Sequence, residues 1–308
     1  MLRDMGEWRF DGLMRFSDAA NRAEAALRTA ASLGVRDLPG RFAEYLPLLR
    51  QADSFNSCPL PWPEGSRERA LFVEGCSQVW HLLKAGEILS GLPLDVAGKN
   101  LAKALAGHAL PEVGCEEDRE ARDRLVEFAT GYLLKQRGFA ITMTIEAEDV
   151  RATSGARCLV VECKRPESVR SMRNGIRKGC DQLKERCDGI ATLGMLVLGI
   201  DRILSETPAA FVDLPGVPSF RDKAALMAWV EREFRGRIAD VLRTAQKERR
   251  DFMPEAPFVG LLLTVPTFVN EDARGGFLQM LDFMAFFNTG PIRDSDRPVW
   301  EQLIGPGT

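Results

Sequence analysis

The stretch Arg157-Cys158-Leu159-Val160-Val161-Glu162-Cys163-Lys164 is a short apolar run that ends in acid-x-base. Read as a strand, it alternates its side chains between two faces, so Glu162 and Lys164 share a face with Cys158 and Val160, while Leu159, Val161 and Cys163 share the other. A carboxylate and an ammonium therefore emerge side by side from an otherwise apolar strand. Charged groups of this kind are seldom buried unless they are paired or used. The plain reading is a same-face salt bridge on an edge strand, which is what an isolated Glu-x-Lys usually means.

The surroundings argue for more. Upstream, Glu117 to Gln136 has helical periodicity and stops at Gly138. Phe139 to Ile145 alternates as a strand, and Glu146 to Arg151 is a turn or short strand carrying Asp149. Downstream, Met172, Ile176, Cys180, Leu183 and Cys187 recur at helical spacing. Strands are expected at Met195 to Ile200 and Phe258 to Val265, and a helix from Asp222 to about Lys247. For Gly275 to Asn288 the pattern does not decide between helix and strand. Strands alternating with helices imply an α/β core with a mixed sheet.

Residues 1–115 read differently. Phe16 to Ser32 is alanine-rich, Arg41 to Arg50 carries Phe42, Tyr45, Leu46 and Leu49, and Glu68 to Leu89 carries an apolar stripe, all helical. The three prolines of Cys58 to Gly65 mark a loop. The expected organisation is thus a helical region, 1–115, followed by an α/β domain, 116–308.

Composition sets the outer bounds. The chain has 308 residues, 45% hydrophobic and 28% charged, with a formal charge of −3. That is enough for a large core, and it is not the balance of a free-standing nucleic-acid binder, so any such binding rests on a local patch or a partner. No apolar run reaches the roughly 20 residues that span a bilayer, and the first residues lack a signal-peptide pattern. A cytoplasmic, non-membrane protein is expected. The seven cysteines form no CxxC pair. With only His81 and His108 available, both read as structural residues of helical segments, zinc is not expected and reduced, buried thiols are.

The set Glu127, Asp149, Glu162-x-Lys164 and Gln182, in that order, resembles the PD-(D/E)xK nuclease superfamily over roughly residues 118–268. The resemblance implies a restriction-endonuclease-like fold: a mixed central sheet flanked by helices, here preceded by the helical region. It implies an Asp on one strand, Glu-x-Lys on the next, an acid on the preceding helix and a Gln on the following one. No proline precedes Asp149, which departs from the family's pattern. Asp123 or Glu120 could replace Glu127, and Glu146 or Glu148 could replace Asp149. For Glu127, between Val126 and Phe128, an ordinary solvated glutamate is the competing reading.

By the same resemblance Asp149, Glu162 and Glu127 hold Mg²⁺, with Mn²⁺ as alternative. Carboxylates about 4 Å apart repel by roughly 4 kcal/mol per pair at an effective dielectric of 20, so such a cluster needs a cation. Hard oxygen donors without histidine select Mg²⁺. Lys164 would stabilise charge on the scissile phosphate, and Gln182 would hold the attacking water, Lys164 or a phosphate oxygen.

From Lys164 to Arg186 the local balance is +5. Arg170, Arg173 and Arg177 share one helical face, with Lys178 on a neighbouring stripe and Arg165 close to the strand end. Such a strip can grip a phosphate backbone, although a basic helix face is most often merely solvated. The expectation is a Mg²⁺-dependent nuclease acting on DNA, with RNA open, by analogy in a bacterial defence or mobile-element setting. Its rival is a catalytically silent scaffold on the same fold. The helical region is a candidate for homodimer contacts or for an ATPase or helicase partner.

Overall fold

The computed structural model describes residues 8–9, 14–36, 38, 40–52, 62–63, 65–110, 112, 115–143, 150–166, 168–187, 192–200, 203, 258–270, 276–288 and 292–304. Within them are seven helices, α1 (Phe16–Ser32), α2 (Phe42–Ala52), α3 (Arg67–Leu89), α4 (Leu94–Leu105), α5 (Glu116–Gln136), α6 (Val169–Arg186) and α7 (Arg297–Ile304). The strands are β1 (Trp8–Arg9), β2 (Ala140–Thr142), β3 (Val150–Ser154), β4 (Arg157–Lys164), β5 (Thr192–Gly199), β6 (Phe258–Asn270) and β7 (Gly276–Asn288). The helix expected from Asp222 to Lys247 lies outside the described residues. The undecided segment from Gly275 to Asn288 is a strand, paired along its whole length with β6 from Phe258↔Asn288 to Asn270↔Gly276.

One seven-stranded sheet runs in the order β1-β7-β6-β5-β4-β3-β2. It is mixed: β4, β5 and β6 are parallel neighbours, and the remaining pairs are antiparallel. Strand β4 is therefore interior, between β3 and β5, which explains its near-continuous apolar character. The parallel β4–β5 pair needs a crossover, and α6 supplies it.

Local signals set the element ends. Gly138, at φ +84°, closes α5 in the left-handed region that favours glycine, and its amide donates to Lys135 O at 2.9 Å. Helix α6 opens with a reciprocal cap: Ser171 N donates to Ser168 Oγ at 3.2 Å, and Ser168 N to Ser171 Oγ at 2.9 Å.

The helices take opposite faces of the sheet. Leu159, Val161 and Cys163 of β4 join a core that includes Leu193, Met195 and Val197 of β5 and residues of α1 to α5. Cys163 Sγ meets Thr130 Oγ1 of α5 at 3.6 Å. The other face lies under α6, where Met172, Ile176, Cys180 and Leu183 are buried. Gly75 makes the helical layer compact: a Cβ there would stand 2.9 Å from Tyr45 Cβ, so α2 and α3 pack almost backbone to backbone. Because the core is continuous from α1 into the sheet, the change of pattern near residue 115 marks a change of secondary structure across which the packing runs on. No helix among the described residues is long and apolar enough to cross a membrane.

Candidate functional site

Alternation along β4 turns Glu162 and Lys164 toward α6. The Glu162 side chain is wholly buried. Lys164 Nζ lies 3.4 Å from Glu162 Oε2 and donates to Cys163 O at 3.0 Å. Arg186, the last residue of α6, places its guanidinium on Glu162 Oε1. A single carboxylate thus carries two cations, neither of them fully exposed.

Helix α6 reaches this close because of glycine. A Cβ on Gly175 would lie 3.7 Å from Lys164 Cβ, and one on Gly179 would lie 3.7 Å from Lys164 Cγ and only 2.5 Å from Leu196 Cδ1. The aliphatic stem of Lys164 is therefore clasped under one turn of helix, with its ammonium left at the strand end. Gln182, on the same helix, is half-buried, and its Oε1 is buried with no hydrogen-bond partner among the described residues.

The acids of the preceding helix divide. Glu127 is buried, 4% exposed, and ion-paired with Arg124 one turn earlier on α5. It is not the solvated glutamate of the competing reading. Helix α5 covers the Cys163 face, so Glu127 approaches the sheet from the side opposite α6. Asp123, the alternative to Glu127, accepts a hydrogen bond from Arg165 N at 3.0 Å, directly after Lys164. Glu120 is exposed. Asp149, with Glu146 and Glu148, lies outside the described residues. The β3–β4 ladder is described up to Val150↔Val161, the residue after Asp149 facing the residue before Glu162.

The basic strip is revised at one position. Arg170, Arg173, Arg177 and Lys178 are exposed. Arg165 is buried, its guanidinium 3.2 and 3.5 Å from the Glu74 carboxylate of α3, and it is thereby withdrawn from any surface contact. Glu74 also accepts from Arg122 Nε at 2.8 Å and from Gln78 Nε2 at 2.9 Å. Gln78 in turn accepts from Arg41 at 2.9 Å. This buried network binds the end of β4 to the helical layer, and nothing in local periodicity announces it. Burial lowers the Arg41 pKa to about 10.

The expectation that His108 sits as a structural residue in a helical segment needs correction. His81 is buried in α3, but His108 lies beyond the end of α4 with an exposed ring 3.3 Å from Asp118 Oδ2. Among the described residues, the three metal-ligating side chains that converge are His108, Cys115 and Asp118. Their spacing in the sequence matches no paired-cysteine ligand pattern, so no local signal marks them. Six cysteines are described and stand as thiols.

Comparison with protein-family models, with curated proteins and with solved structures found no match for this chain.

Proposed function

We propose that this chain is a metal-dependent nuclease with a restriction-endonuclease-like α/β core, hydrolysing phosphodiester bonds of DNA, with RNA as the second polymer to test. The observation that carries the reading is the Glu162 and Lys164 pair at the end of an interior strand, under a helix with an exposed basic face. An edge-strand salt bridge would have neither the interior position nor the glycine-lined clasp on Lys164. The register Val150↔Val161 supports a site shared by Asp149 and Glu162, each one peptide bond beyond that pair.

The donor chemistry fits a hard cation. Carboxylate oxygens from Asp149 and Glu162 would hold Mg²⁺ or Mn²⁺, whereas Glu127 approaches from the other side of the sheet and is paired with Arg124. When bound, such an ion supplies a water of lowered pKa and offsets charge on the phosphate. Lys164, fixed by its clasped stem, presents an ammonium to charge that builds on the phosphate oxygens. Gln182 has an uncommitted carbonyl oxygen that can accept a hydrogen bond from the attacking water. Arg170, Arg173, Arg177 and Lys178 grip the backbone, which gives affinity without sequence reading.

One observation favours a second reading. Glu162 is already neutralised by Lys164 and Arg186 in a fully buried position, as in a structural ion cluster. A silent scaffold that binds nucleic acid or a partner protein would look the same.

Incubation of the purified protein with plasmid and single-stranded substrates, with and without Mg²⁺ or Mn²⁺, separates the two. Metal-dependent cleavage lost in Lys164→Ala and Asp149→Asn supports the enzyme. Binding without cutting under all metals refutes it in favour of the scaffold.

A further inference from the structure

We propose that His108, Cys115 and Asp118 form a binding site for a thiophilic divalent cation of the zinc class, joining the turn after α4 to the start of α5. The proposal rests on no part of the nuclease reading.

The three side chains offer an imidazole nitrogen, a sulfur and a carboxylate oxygen, all within 4.8 Å of one another. Tetrahedral zinc, with bonds of about 2.0 Å to nitrogen and oxygen and 2.3 Å to sulfur, sets its ligand atoms roughly 3.3–3.6 Å apart. His108 Nδ1 and Asp118 Oδ2 already stand 3.3 Å apart, so only the thiol has to close in. Cys115 is the residue that caps α5, yet its side chain makes no capping hydrogen bond, and the sulfur is not committed to the helix.

The frame around the ligands is built for them. The Asp118 side chain is 2% exposed and is held by two backbone amides, His108 N at 2.6 Å on Oδ1 and Glu112 N at 2.8 Å on Oδ2. Each carboxylate oxygen accepts at two positions, and the second position of Oδ2 faces His108 Nδ1, a contact that a shared cation would replace. The turn is wound tightly: Gly107 has φ +86°, and a Cβ there would stand 2.4 Å from Asp118 Oδ1. On the far side of the imidazole, Glu112 Oε1 lies 3.8 Å from His108 Nε2, at ion-pair distance and beyond hydrogen-bond reach.

Arg122 stands 3.6 Å from Asp118 and 2.8 Å from Glu74, and Glu74 also carries Arg165 at 3.2 Å, so Asp118 shares Arg122 with Glu74. With the Cys115 proton released to solvent and His108 neutral, two anionic ligands neutralise one divalent ion. A soft thiolate beside an imidazole selects zinc over magnesium, and a fourth position is left for water.

Titration of the chelator-treated, full-length protein with Co²⁺ tests the site through the thiolate-to-cobalt charge-transfer band. One equivalent of Co²⁺ displaced by Zn²⁺ and not by Mg²⁺ is expected. Cys115→Ser should abolish the band with the far-ultraviolet dichroism unchanged, and Cys187→Ser should leave it intact. A band that persists in Cys115→Ser, or no saturable binding in a folded protein, overturns the proposal. Nuclease activity enters none of these readouts, so either reading can fail alone.

Discussion

Arg186 closes on Glu162 across the space between the last turn of α6 and the end of β4. Because Lys164 approaches the second oxygen of the same carboxylate at 3.4 Å, one buried anion ties a helix to the strand that precedes it.

Removing that anion should cost more than removing either cation. Glu162→Ala would leave two cations beside an apolar wall, a loss of about 3–5 kcal/mol by analogy with broken buried pairs. Arg186 is partly exposed, so Arg186→Ala should cost less. Urea unfolding measures both, and a loss under about 1 kcal/mol for Glu162→Ala would contradict the pairing.

A second, largely buried anion joins three elements. Glu74 accepts from Arg122, Gln78 and Arg165, which come from α5, α3 and the end of β4. Glu74→Ala should destabilise by about 3–5 kcal/mol, and Glu74→Gln by less, because an acceptor remains. Equal losses in the two variants would mean that the negative charge, and neither side-chain volume nor the remaining acceptor, matters at this position.

The two glycines over Lys164 should respond in opposite directions. At Gly175 a methyl group meets ordinary contact distance, so Gly175→Ala should stabilise α6 by about 0.5–1 kcal/mol. At Gly179 it meets Leu196 Cδ1 inside a packed core, and Gly179→Ala should cost about 1–3 kcal/mol. Thermal melts of the pair check the sign of each.

Acid should loosen the turn before α5. Burial alone would raise the Asp118 pKa, but the amides of Glu112 and His108, the His108 ring and Arg122 outweigh it, and the value falls below the ordinary 3.8. A carboxylate with a depressed folded pKa binds more protons when unfolded, so its contribution is present above that ordinary value and is lost as pH falls through the folded one. Urea midpoints measured downward from about pH 5 should decline less steeply in Asp118→Asn than in the parent.

Exposed and buried arginines should separate in nucleic-acid binding. Arg173→Ala and Arg177→Ala should each weaken binding uniformly across sequences and reduce the salt slope by about one. Arg165→Ala should lower stability and leave the slope alone. Fluorescence anisotropy over a salt series reads all three, and an unchanged slope in the exposed variants would remove the strip from the interface.

Periodicity made much of this architecture legible. The boundaries of α1 match the expected Phe16 to Ser32, and α5 and β4 follow from the Gly138 stop and the apolar run. The alternation of β4 also anticipated Glu162 and Lys164 on one face. Gly276–Asn288 was undecidable because its pairing with β6 is a tertiary fact, carried by no local signal. The partners of Arg165 and His108 were hidden for the same reason: Glu74 lies 91 residues from Arg165, and His108, Cys115 and Asp118 follow no familiar ligand spacing. Arg186 was counted as one more basic residue, and only the return of α6 onto β4 discloses its contact with Glu162.

The outermost rung of the described sheet bridges a wide interval of sequence: Trp8 pairs with Phe283 and Arg9 with Asp282. Strands β4 and β5, separated by little more than α6, can meet early in folding, whereas that rung has to wait until β7 has been synthesised. The growing polypeptide can therefore build the middle of the sheet long before its outer edge is covered, which makes that rung a late event of folding.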